Sequence, residues 1–103
     1  MSISDLLTRL KRRLSIEGDE KDELLCELLA DANALMLAYM NRSELPEVLS
    51  PALLRLSCML YNRLGMEGES HRSEGSVSMT VDSLPQEIVA QLIPYRLLRT
   101  VAL

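Results

Sequence analysis

Apolar residues recur along this chain at steps of three and four, in four runs divided by polar or proline-bearing stretches. That spacing places them on one side of a helix. In the first run Ile3, Leu6, Leu7, Leu10 and Leu14 make a single stripe, and Ser2-Ile3-Ser4-Asp5 has the pattern of an N-cap with a reciprocal acidic residue. The spacing predicts a helix over 2–15, with Gly18 at its end or just beyond. A second helix is expected over 19–41, capped by Asp19 and followed by acids that suit the positive end of the helix dipole. Its stripe runs from Leu24 and Leu25 to Tyr39 and Met40 and is wide enough to touch two neighbours. Asn41 to Pro46 breaks it, since the residue before a proline is pushed out of helical geometry.

Ser50-Pro51 opens a third helix over 50–66, with serine as cap and proline at the first helical position. Leu53, Leu54, Leu56, Cys58, Leu60, Tyr61 and Leu64 make it apolar on most sides, so a central position, covered by neighbours or other subunits, is expected. Gly65 or Gly68 is placed to close it. The period then changes. Residues 67–82 form a polar loop, inside which Ser76-Val77-Ser78-Met79-Thr80-Val81 alternates as a short strand does. A lone strand must pair with a partner or lie extended on a surface. A last helix is predicted over 84–100 from the capping pattern Ser83-Leu84-Pro85-Gln86, with a kink or a stop at Pro94. The fold expected is all-α: one domain over 1–103, a small four-helix bundle with a long loop and one short extended or β segment between the third and fourth helices.

Composition strengthens that reading. Leu, Met and Ala dominate the hydrophobes, with three Tyr and no Trp or Phe, a mix that favours helix over sheet. A net charge of −4 lacks the surplus of cations that non-specific nucleic-acid binding requires. The local cluster of Arg9, Lys11, Arg12 and Arg13 reads as the solvated face of the first helix. Cys26 and Cys58 sit inside apolar runs and are expected to be buried thiols. The chain shows no signal peptide, membrane-length apolar run or lipidation box, so a protein made in the cytosol is expected.

Candidate chemistry collects between Leu60 and Thr80, LYNRLGMEGESHRSEGSVSMT. Glu67, Glu69, His71 and Glu74 are suitable metal ligands in kind, but one histidine in a glycine-flanked loop lacks the paired-histidine spacing of a catalytic zinc site. Ser70, Ser73 and Ser76 near His71 do not by adjacency make an attack geometry. There is no phosphate-binding loop and no dinucleotide fingerprint. No enzyme, cofactor or metal is expected. The alternating signs of Arg63, Glu67, Glu69, Arg72 and Glu74 suit contact between copies of the chain better than attraction to one polyanion.

The run Leu60-Tyr61-Asn62-Arg63, then Gly65, Glu67-Gly68-Glu69 and Ser73-Glu74-Gly75, resembles a segment of the head–tail connector (adaptor) proteins of long-tailed double-stranded DNA bacteriophages. The likeness extends to Ser76–Val81, Leu84-Pro85, Leu92, Tyr95 and Arg96, and backward to Leu6-Leu7, Arg9-Leu10-Lys11, Asp22, Leu24-Leu25 and Asp31-Ala32. The resemblance implies a helical subunit of the virion neck that joins copies of itself in a dodecameric ring beneath the portal. The ring extends the DNA channel, passes DNA without specific binding, and offers its far side to a stopper or tail-completion protein. Arg63, Glu67, Glu69, Arg72, Glu74, Val77 and Met79 would then lie at subunit contacts, and Tyr95, Arg96 and Arg99 at the portal. The alternative is a small helical protein-interaction or regulatory module that binds one partner as a monomer or dimer.

Overall fold

The computed structural model describes residues 3–67 and 80–97, with 65–67 described by their backbone alone. Four α-helices follow one another: α1 (Ile3–Leu14), α2 (Asp22–Met40), α3 (Ser50–Glu67) and α4 (Gln86–Leu92). Short 3-10 turns precede α3 (Glu47–Leu49), precede α4 (Val81–Ser83) and follow it (Ile93–Tyr95). Among the described residues there is no strand. Residues 76–79 of the expected strand lie outside them, and Val81 is the first residue of a 3-10 turn rather than the last of an extended run.

The helix ends are set by chemistry the spacing alone misses. α1 is closed by Ser15 in the left-handed conformation (φ 58°), not by Gly18, which lies in the connection at φ 84°. The amides of Ser15 and Ile16 donate to the carbonyls of Arg12 and Lys11, the paired bonds of a Schellman end. Asn41 (φ 59°) ends α2 in the same way, its amide and that of Arg42 both turned back to Leu37. Asp19 does not cap α2. The helix begins at Asp22 after Lys21, with no side-chain cap; the exposed Asp19 carboxylate lies 3.7 Å from the Lys11 ammonium.

Ser50 likewise is not a cap but the first helical residue of α3, its amide bonded to the Glu47 carbonyl of the preceding turn. Gly65 lies within α3 rather than closing it, and Gly68 lies outside the described residues. The capping box falls at Thr80 and Ser83, one turn earlier than the expected Ser83–Gln86, and α4 starts after Pro85 without a side-chain cap. At Pro94 the chain tightens into a 3-10 turn, and Arg96 is already extended (φ −73°, ψ 130°). Proline offers no amide to the α-helical ladder and crowds the carbonyl four residues back. The expected helix to residue 100 therefore stops at Tyr95.

α3 is the central element, packed against α1, α2 and α4. Ala52, Leu53, Leu54, Leu56 and Leu60 on it are buried against Leu25, Leu28, Leu29, Ala32, Met36 and Met40 of α2. Leu10 adds α1 to this core, Ile88 and Leu92 add α4, and Leu84 joins from the connection just before it. Each such leucine taken from water contributes about 1.5–3 kcal/mol. Ser57, fully buried among them, donates to the Leu53 carbonyl at 2.9 Å, so the core holds a polar atom without an unmet bond. The apolar sides of α3 are thus covered largely by neighbouring helices of its own chain, the first of the two coverings expected for it. Cys26 and Cys58 are half-buried free thiols rather than fully buried ones.

Candidate functional site

Two surfaces of the bundle carry organised chemistry. One is the end of α2, where the chain that follows α4 is tied down. The Leu97 amide donates to the Met40 carbonyl at 2.8 Å, and Asn41 Nδ2 donates to the Leu97 carbonyl at 3.0 Å. Arg42 Nε donates to the Tyr95 carbonyl at 2.6 Å. The Arg96 guanidinium lies 4.7 Å from the centroid of the Tyr39 ring, a cation–π distance that holds the charge in place while leaving it in water. Asn41 can do this because its left-handed backbone turns its side chain out from the helix end toward the returning strand of chain.

The second surface is a groove of about 590 Å³ between the start of α1, the outer face of α2 and the connection into α3. Ile3, Leu6, Leu29, Leu37 and Leu45 supply apolar walls, and Asn33, Glu44 and Glu47 supply polar ones. Its volume falls within the roughly 300–1,000 Å³ of clefts that hold small ligands or segments of chain. Ile3 stands 56 % exposed at its mouth.

Electrostatics elsewhere are structural. Lys11, from the basic cluster of α1, is half-buried and donates to Asp22 at 2.7 Å, tying α1 to the start of α2. That hydrogen bond, aided by the charges of Asp22 and Asp19, raises its pKa against the opposing effect of desolvation. Burial likewise pushes the Cys58 thiol up, with Arg13 partly opposing it, so this thiol is held in its unreactive form. Among the described residues no three His, Cys, Asp or Glu side chains group closely enough to hold a metal ion. No helix among them is long and apolar enough to cross a membrane.

Of the residues expected at subunit contacts, Arg63 is exposed on the last turns of α3 and Glu67 is the last residue of that helix. Glu69, His71, Arg72, Glu74, Val77 and Met79 lie outside the described residues, as does Arg99 of the expected portal set. Tyr95 and Arg96 are brought together with Tyr39, Asn41 and Arg42 at the end of α2. Sequence reasoning had placed Tyr39 in the apolar stripe and read Asn41 only as a break. An asparagine directly after a long amphipathic run, which tolerates the left-handed conformation, was the available signal. The groove had no signal, because it is assembled from three separate segments.

The described residues form a small all-α bundle with a buried core, a segment after α4 tied to the end of α2, and an open groove. Residues 4–96 match the family described as phage gp6-like head-tail connector protein, and the chain belongs to that family. It is therefore a component of the connection between phage head and tail. No curated protein and no solved structure matches it.

Proposed function

We propose that the chain is a structural, non-catalytic subunit of the phage neck that joins copies of itself in a ring beneath the portal. In this reading the ring lengthens the DNA channel and presents its opposite face to the stopper or tail-completion protein. The observation that carries it is the family match over residues 4–96, which takes in all four helices. Two physical features support it. A subunit charge of −4 suits a channel that must let DNA slide, because a strongly basic wall would grip phosphate. Copies in a closed ring also need two unlike patches per subunit, and the α2 end, with Arg96, and the exposed Asn62 and Arg63 of α3 are candidates for them.

Within this reading Arg63 and Glu67 at the end of α3, with Glu69, Arg72, Glu74, Val77 and Met79 beyond it, form the contact between neighbours. Tyr95, Arg96 and Arg99 face the portal, and the stacking of Arg96 on Tyr39 presets one cation for an acidic partner. The test is co-purification with assembled portal rings, followed by cryo-electron microscopy of the complex. A ring of this subunit seated on the portal is expected. A chain that never binds assembled portal, yet holds one other partner as a monomer or dimer, would establish the small interaction module instead.

A further inference from the structure

The groove lies on one flank of α2 and the Arg96 cation on the other. Leu37 lines the groove and Tyr39 carries the guanidinium, and two residues along an α-helix turn about 200° around its axis. The body of α2, about 10 Å across with its side chains, thus stands between them, so neither patch can meet the other within one chain. Surfaces on opposite flanks are what copies joined head to tail require.

The two patches are unlike and complementary. Among the described residues four large apolar side chains stand exposed: Ile3, Val48, Ile93 and Leu97. Ile3 lines the groove, and Val48 follows Glu47 of its wall. Ile93 and Leu97 stand on either side of Arg96 in the chain. The Arg96 amide donates to the Ile93 carbonyl at 3.1 Å and closes the 3-10 turn, which sets these two residues next to each other. The charges are opposite. Both charged residues that line the groove are acids, Glu44 and Glu47, and Glu44 is exposed. Across α2 the turn carries a cation whose stacking on Tyr39 leaves it less side-chain freedom to lose on docking.

We propose that the groove of one copy receives the turn after α4 of the next, with Ile93 against Ile3, Leu37 and Leu45, and Arg96 against Glu44. This contact rests on the ring reading and narrows it: Arg96 goes to the neighbour, and Tyr95 and Arg99 are left for the portal. It is directional, since groove meets turn and never groove meets groove, so it passes from copy to copy until a ring closes.

The test uses the full chain with Cys26→Ser and Cys58→Ser, assembled on portal rings. Ile3→Cys and Ile93→Cys, both at exposed positions, are introduced singly and together and treated with a short bismaleimide. The double variant is expected to cross-link into a ladder of multimers. An equal mixture of the two single variants should stop at dimers, and each single variant should give no product with itself. Rings on the portal that yield no ladder overturn this contact and leave the ring reading standing. A dimer from either single variant alone does the same, by making the contact symmetric. Copies that never lie side by side on the portal overturn both. Charge gives an independent readout in the chain with its natural cysteines. Arg96→Glu and Glu44→Arg should each lower the share of subunits in rings by about two- to fivefold, the worth of one exposed ion pair, and the two together should restore it. A double variant no better than either single one overturns the pairing.

Discussion

Arg42 Nε donates to the Tyr95 carbonyl at 2.6 Å, across more than half the length of the chain. This bond joins the residue just after α2 to the 3-10 turn just after α4, and it is partly shielded from water. A hydrogen bond from a charged donor in that setting contributes about 1.5–3 kcal/mol. Arg42→Ala should therefore cost roughly 1–3 kcal/mol of stability by denaturant titration. Local loosening should precede global unfolding. The Leu97 amide, bonded to Met40, is expected to lose hydrogen-exchange protection before the amides of α3 do. Loss of protection uniformly across the bundle would show that the bond does not act locally.

Ser15 closes α1 at φ 58°, a region costly to a residue with a Cβ. Its side chain is exposed, so little packing is at stake. Ser15→Gly relieves the conformational cost and gives back part of the gain through the freer unfolded chain. The net expectation is a gain of up to about 1 kcal/mol, with Ser15→Val losing stability instead. Asn41→Gly should gain less than Ser15→Gly, because it also gives up the bond from Asn41 Nδ2 to the Leu97 carbonyl. Paired thermal melts of the three variants check this ordering.

The physical reason some features were legible in the sequence is periodicity. The pair Ile88 and Leu92 and the crowded apolar faces of α2 and α3 announce themselves because helical geometry repeats. Hence the all-α bundle, its four helices and their order could be read directly. The ends could not, because a cap depends on which donor reaches which carbonyl. Asp19 has a capping side chain by type, yet the helix starts only at Asp22, so the cap position falls to Lys21. Ser50 is a cap by type, yet its backbone is already helical (φ −55°, ψ −41°) on leaving the turn at Glu47–Leu49, where a cap is not. For the docking surfaces the obstacle is distance along the chain. Tyr39 and Arg96, or Leu6 and Leu45, become neighbours only through the tertiary fold, which no local pattern encodes.

The coverage of α3 by its own chain has an energetic consequence. Leu56 is fully buried in the core and Val48 is 63 % exposed in the turn before α3. Leu56→Ala removes buried carbon and leaves a cavity that neighbours fill only in part, for about 2–5 kcal/mol. Val48→Ala should stay within about 0.5 kcal/mol, as surface changes do. If α3 instead relied on other subunits for its burial, Leu56→Ala would barely alter the stability of the isolated chain. Denaturant unfolding of both variants as dilute monomers separates the cases.

Lys11 gives the fold an alkaline limit whose sign can be worked out. Its hydrogen bond to Asp22 raises its pKa in the folded chain, so the folded state keeps a proton that the unfolded state releases near the ordinary lysine value of about 10.4. A group of this kind contributes fully below the unfolded pKa, and its contribution fades as pH rises through the folded one. Cys58 acts in the same direction from a lower starting point, because burial raises its thiol above 9.0. Stability of the native chain should therefore begin to fall near pH 9 and fall more steeply beyond the lysine range. Lys11→Met is expected to be less stable by a constant amount from neutral pH to about 10, after which its curve converges on the native one. Cys58→Ala should remove the earlier part of the decline and leave the later part intact. Denaturant midpoints measured from pH 7 upward test both. A Lys11→Met curve parallel to the native one through the whole alkaline range would show that the bond to Asp22 does not couple folding to that proton.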